Sequence, residues 1–174
     1  MKSPRKKFLR KIPLHSNMEK AKQDFLHYIK YSFPNYFHKK TILDTGKYQQ
    51  SHIDLFKECS FYSSSISPHT KNNELISYQK KIFQDNTFDV ILSMECLEHD
   101  IYCEESIVNL YKMLGYDGLL IIGIPPGENT KLDIHKINKL LNFNKRFIYW
   151  DCYKTHNDLI MFIGMKNYIL LELS

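Results

Sequence analysis

Two nearly unbroken apolar runs, 88–94 (FDVILSM) and 119–124 (LLIIGI), constrain this chain more than any other feature. A strand that is apolar on both faces has no side to turn to water. It belongs at the centre of a parallel sheet whose two faces are covered by helices. Between the two runs, residues 103–114 place Ile107, Leu110, Tyr111 and Leu114 at helical spacing. A strand–helix–strand order of this kind predicts an α/β fold with right-handed crossovers.

The remaining segments fit the same plan. A first helix is predicted from Ser16 and Glu19, which form an S-x-x-E capping pattern, and from Ala21, Phe25, Tyr28 and Ile29 at helical spacing; Pro34 closes it. Residues 41–44 read as a strand, 53–56 as helical, 61–66 as a weaker strand and 75–78 as a short edge strand. Residues 133–142 read as a helix, and 147–153 and 159–165 as strands. Too few residues separate these last two for a crossover helix, so an antiparallel hairpin is expected. The prediction is a single Rossmann-like domain over residues 16–174. Its mostly parallel, seven-stranded-type sheet ends in a C-terminal antiparallel hairpin and carries helices on both faces.

Charge sets one segment apart. Lys2, Arg5, Lys6, Lys7, Arg10 and Lys11 precede the first acid, Glu19. They are six of 24 basic residues in a chain of net charge +5, and without them 18 basic residues face 19 acidic ones. Residues 1–15 therefore read as a basic tail, expected to be solvated and mobile. Such a tail suits nucleic acid or an anionic surface. No apolar run is long enough to span a bilayer, and the N-terminus lacks a signal peptide's apolar core. The four cysteines show no C-x-x-C or zinc-finger spacing. A reducing, cytoplasmic setting is expected.

The segment Asp85-Asn86-Thr87-Phe88-Asp89-Val90 resembles the D-N-S-F-D-x-V segment of class I S-adenosylmethionine-dependent methyltransferases, of the type 11 kind. Glu95-Cys96-Leu97-Glu98-His99 resembles the E-x-L-E-H segment that follows there. Met113-Leu114, Gly118 and the strand to Ile124 resemble that family's L-K-P-G-G turn and next strand, although Gly115-Tyr116-Asp117 replace most of the turn. The resemblance spans roughly residues 40–168 and is strongest over 83–124. It implies S-adenosylmethionine as cofactor, lying over the carboxyl ends of the first strands, and an acceptor that the sequence does not identify.

Residue by residue, the resemblance carries over Asp44 and Gly46 from the family's D/E-x-G-x-G-x-G turn; Tyr48 and Gln50 stand where the other two glycines would be. Ser65 falls at the ribose-binding acid, where a hydroxyl accepts more weakly than a carboxylate, and Ser77 near the adenine-contacting acid. Ser93 joins the expected cofactor contacts. Glu98 and His99 are the candidate catalytic pair, with proton removal from the acceptor as their role. Glu95, Glu98 and His99, at i, i+3 and i+4, fit one helical turn and resemble the metal-binding E-x-x-E-H of small-RNA 2′-O-methyltransferases and some ubiquinone-pathway O-methyltransferases. In many relatives the same letters hold no known metal, and a divalent ion is not expected here.

Two function classes stay open: a methyltransferase of unidentified acceptor, and an inactive methyltransferase-fold binding or scaffold protein, in either case with a partner protein as an option. A nicotinamide-dependent enzyme would need a G-x-G-x-x-G turn, which is absent from the sequence.

Overall fold

The computed structural model describes residues 17–45, 54–56, 58–63, 83–100, 102–125, 132–154 and 159–167. Helix α1 spans Met18–Ser32. Its N-cap is Asn17, whose Oδ1 accepts the Lys20 N–H at 3.1 Å. Asn17 thus takes the capping role expected of Ser16, which lies outside the described residues. A 3-10 turn, Pro34–Phe37, leads to strand β1, Thr41–Asp44. Strand β2 is Ser60–Ser63, starting one residue before the expected 61–66, of which 64–66 lie outside the described residues, and β3 is Phe88–Met94 as expected. Helix α2 spans Cys103–Met113 and runs directly into β4, Leu114–Ile124. Helix α3, Ile134–Leu141, is capped by Asp133 and ended by Asn142 in the left-handed region. The short α4, Phe143–Arg146, precedes β5, Phe147–Lys154, and β6, Ile160–Lys166. The expected strand at 75–78 lies outside the described residues, as does the basic tail.

The six described strands form one sheet in the order β2-β1-β3-β4-β6-β5. β1, β2, β3 and β4 pair in parallel, whereas β6 pairs antiparallel with both β4 and β5. Strand alternation splits the core into two layers. Leu43, Ile91, Leu120, Ile122 and Phe162 face α2 and α3. Ile42, Val90, Leu92, Ile121, Met161 and Ile163 face α1. Phe25, Leu26 and Ile29 of α1 are fully buried, and each such side chain contributes roughly 1.5–3 kcal/mol of hydrophobic stabilisation.

β4 starts earlier than the apolar run. Leu114 pairs with Phe88, then the ladder breaks and resumes at Leu119 opposite Val90. Residues 115–118 form the excursion between, with Asp117 at φ 55°. A Cβ on Gly118 would lie 2.7 Å from the Gly115 carbonyl oxygen, so only glycine fits that corner.

At this amino-terminal edge of the parallel strands, the buried Lys166 fastens three elements. Its Nζ donates to Leu114 O (2.5 Å), Tyr111 O (3.0 Å) and Asn86 Oδ1 (3.0 Å), and lies 4.7 Å from the Tyr111 ring centroid. The cation thereby caps the carboxyl end of α2, where the helix dipole favours positive charge. No described helix is long and apolar enough to cross a membrane.

Candidate functional site at the carboxyl ends of β1 and β3

β1 lies between β2 and β3, so the chain leaves it first toward one edge and later returns on the other side. In open α/β sheets this switch point opens a crevice at the carboxyl ends of the strands, where ligands bind. Asp44 ends β1 and is buried. The next residue, Thr45, is fully buried, and its N–H donates to Leu92 O at 2.9 Å, extending the β1–β3 ladder by one rung. Ser93, near the end of β3, is fully buried, and its hydroxyl finds no hydrogen-bond partner among the described residues. A buried hydroxyl without a partner is costly in a folded protein.

Beyond Met94 the backbone turns sharply. Glu95 sits at φ 53° and its N–H donates to Gly123 O at 3.0 Å, which ties the turn to the end of β4. One carboxylate oxygen, Oε2, lies 3.0 Å from Lys22 Nζ; the other, Oε1, is buried without a hydrogen-bond partner among the described residues. Lys22 is 1% exposed and also meets Glu19 Oε1 at 2.5 Å. The helical turn expected to carry Glu95, Glu98 and His99 together does not form. A short 3-10 turn covers only Leu97–His99, and the left-handed backbone at Glu95 sends its carboxylate to α1.

The Cys96 thiol is buried beside Thr45. Burial pushes it up to about 12; the Thr45 hydroxyl pulls the other way, while the Glu98, Asp100 and Asp44 carboxylates raise it further. Those three acids therefore gather around one buried thiol, and the thiol stays protonated at neutral pH. Both Glu98 oxygens are shielded from solvent. Asp100 anchors the start of α2, with Oδ1 accepting the Tyr102 N–H at 2.8 Å and Oδ2 the Ser106 hydroxyl at 2.5 Å.

Of the residues singled out from sequence, Asp44, Ser93 and Glu98 come together at one end of the sheet. Gly46 and Ser65 lie outside the described residues, and of His99 only the backbone is described. No three metal-ligating side chains converge among the described residues. Lys22, Thr45, Cys96 and Asp100 were not singled out. Lys22 did leave a signal, since it stands four residues before Leu26 and seven before Ile29, on the apolar stripe of α1.

Buried carboxylates and hydroxyls thus gather at the carboxyl ends of β1 and β3. The fold is that of class I S-adenosylmethionine-dependent methyltransferases. The N-methyltransferase NodS from Bradyrhizobium japonicum WM9 matches at TM-score 0.61 and 13% identity, over 86% of this chain and 96% of that one. The CurJ carbon methyltransferase matches at TM-score 0.62 and 8% identity, over 86% of this chain, which spans about half (54%) of CurJ's length. The [4+2]-cyclase SpnF matches at TM-score 0.62 and 10% identity, over 88% of this chain and 84% of that one. No family model matches the sequence, and no curated protein matches it.

Proposed function

We propose that this protein binds S-adenosylmethionine over the carboxyl ends of β1 and β3 and transfers its methyl group to an acceptor. The observation that carries the reading is the joint placement of Asp44 and Ser93 at the switch point of a methyltransferase-type sheet. The residues present fit the cofactor. The Ser93 hydroxyl lacks a partner among the described residues, and the carboxylates around Cys96 oppose the positive charge of a sulfonium. Bound there, the cofactor would supply an electrophilic methyl group. Asp44 and Ser93 would hold it, with Gly46 and Ser65 as further contacts. Glu98 would accept the acceptor's proton with His99, and correct placement would supply most of the rate. The seven-stranded arrangement, with 75–78 as its further strand, belongs to this reading, as do a cytoplasmic setting and a nucleic-acid or anionic-surface role for the basic tail.

A second reading is a methyltransferase-fold protein that no longer methylates. Tyr48 and Gln50 replace two turn glycines, and a cyclase shares the fold, so fold alone does not fix the chemistry. Thermal unfolding with millimolar S-adenosylmethionine and S-adenosylhomocysteine separates the two. A ligand at about 100 times its Kd stabilises by roughly 2.7 kcal/mol. A clear rise in Tm supports cofactor binding; an unchanged Tm turns the search to partners.

A further inference from the structure

We infer that the carboxyl-end face of the sheet takes a single-stranded nucleic acid, its phosphates held by the six cations of residues 1–11 and a base stacked on Tyr102. The direction of α1 places the charges. Lys22, early in the helix, lies 3.0 Å from Glu95, the first residue beyond β3. Tyr36, just past the other end of α1, donates to the Asp117 carbonyl at the amino edge of the sheet. The chain preceding Asn17 therefore enters α1 at the carboxyl ends of the strands. Residues 1–16 lie outside the described residues, but covalent length bounds their charges: Lys11 stays within about 22 Å of Asn17, and Lys2 within about 54 Å. No acid stands among these six cations, and the rest of the chain carries 18 basic against 19 acidic residues. The net attraction for a polyanion thus belongs to the entrance of α1, beside the crevice.

Tyr102 is a second, independent observation. It stands at the N-cap of α2, across the sheet from α1, and is 40% exposed. A strand running from the tail to this ring crosses the ends of β1 and β3. An exposed aromatic ring holds any base through its π face. Asp44 and Asp100, buried at this end, disfavour phosphate there. The backbone therefore keeps to the tail, and a base approaches the sheet. A bilayer fits less well, because its charge lies in a plane and does not enter a crevice, whereas an unpaired base can be splayed out. Only the consequence, that this strand is the methyl acceptor, rests on the proposed function.

The test is fluorescence anisotropy of labelled oligouridylate and oligothymidylate, each about 15 nucleotides long, on the full chain without cofactor. Wild type is expected to bind, with log K falling against log salt at a slope of about −4; the two strands report whether the 2′-hydroxyl is read. Replacing the six cations by glutamine should abolish binding. Tyr102→Ala should weaken it about tenfold at unchanged slope, and Tyr102→Phe should restore it. The Tyr102 backbone N–H donates to Asp100 Oδ1 at 2.8 Å, a bond that both variants keep. No binding at low salt, binding that survives the glutamine variant, or unaltered affinity in Tyr102→Ala would each overturn the inference. So would tail-dependent binding to phosphatidylcholine–phosphatidylserine vesicles in place of the oligonucleotides. A last arm adds S-adenosylmethionine labelled in its methyl group. A strand that binds but gains no label supports the site and removes the strand as acceptor, whereas absent binding rejects the site whatever the protein methylates.

Discussion

Asp89 Oδ2 accepts the backbone N–H of Thr41 at 2.9 Å, so the first residue of β1 hangs from the second residue of β3. Oδ1 of the same carboxylate accepts from Lys40 Nζ at 2.9 Å. The acid in the D-N-T-F-D segment is therefore a strap between the amino ends of two central strands, at the opposite end from Asp44 and Ser93. Its neighbour Asn86 is equally structural, taking up a left-handed turn and receiving a hydrogen bond from Lys166. Asp89→Ala should lower stability by about 1–2 kcal/mol, the range for losing a charge-assisted bond to a half-exposed group. Urea unfolding followed by circular dichroism checks this, and an unchanged midpoint would show that the strap contributes nothing.

Ser93 offers a cleaner separation of stability from binding. Its buried hydroxyl lacks a partner among the described residues, so Ser93→Ala should raise the stability of the ligand-free protein, by about 1 kcal/mol. The same change should weaken S-adenosylhomocysteine binding in calorimetry. A variant that is both less stable and unaltered in binding would refute the proposed contact.

Lys166 carries a pH signature. Burial holds its ammonium down to about 8, with the Arg146 charge acting the same way and Asp85 opposing. Below pH 8 both folded and unfolded chains keep the proton, and the contribution is flat. Between about 8 and the ordinary lysine value the native state gives up a proton that the unfolded chain retains, so this group's contribution to stability rises with pH. Denaturant midpoints of wild type and Lys166→Met, compared from pH 7 to 9.5, should diverge in favour of wild type above pH 8. Parallel curves would place the lysine outside that window.

Cys96 and Cys152 should resist alkylation. Burial pushes both thiols up to about 12, with Asp151 adding to the effect at Cys152. The thiolate is the reactive form, so at pH 8 iodoacetamide should leave both unmodified in the native protein and label both in urea, as read by peptide mass spectrometry. Rapid native labelling of Cys96 would contradict the closed turn around it.

Much of the architecture was legible because the two apolar runs admit few placements. The 88–94 strand coincides with β3, and the 103–114 helix with α2 to within a residue. The start of β4 was not legible, since Gly115 and Tyr116 carry no strand pattern, and Leu114 pairs with Phe88 because α2 delivers it there before the chain makes its excursion. At the site, the acids were visible as letters but their geometry was not. Nothing in a glutamate announces a φ of 53°, so Glu95 read as part of a helical turn when its carboxylate belongs to Lys22. Lys22 itself is a cation on an apolar stripe, with Glu19 as a local partner one turn away, and only tertiary structure brings Glu95 to it. Ser16 and Asn17 are adjacent capping residues, and it is Asn17 that meets the Lys20 N–H.

The sheet order also dictates when the fold can close. β6 is the last described strand in sequence, yet it lies inside the sheet, between β4 and β5. During synthesis β4 must therefore wait with one edge unpaired, and β5 has no neighbour, until the chain has emerged through Lys166. Non-local pairing of this kind is slow, and open strand edges recruit other chains. The ribosome and its attendant chaperones thus face an unfinished sheet until β6 has emerged, and a deletion of β6 alone should yield aggregate rather than a smaller domain.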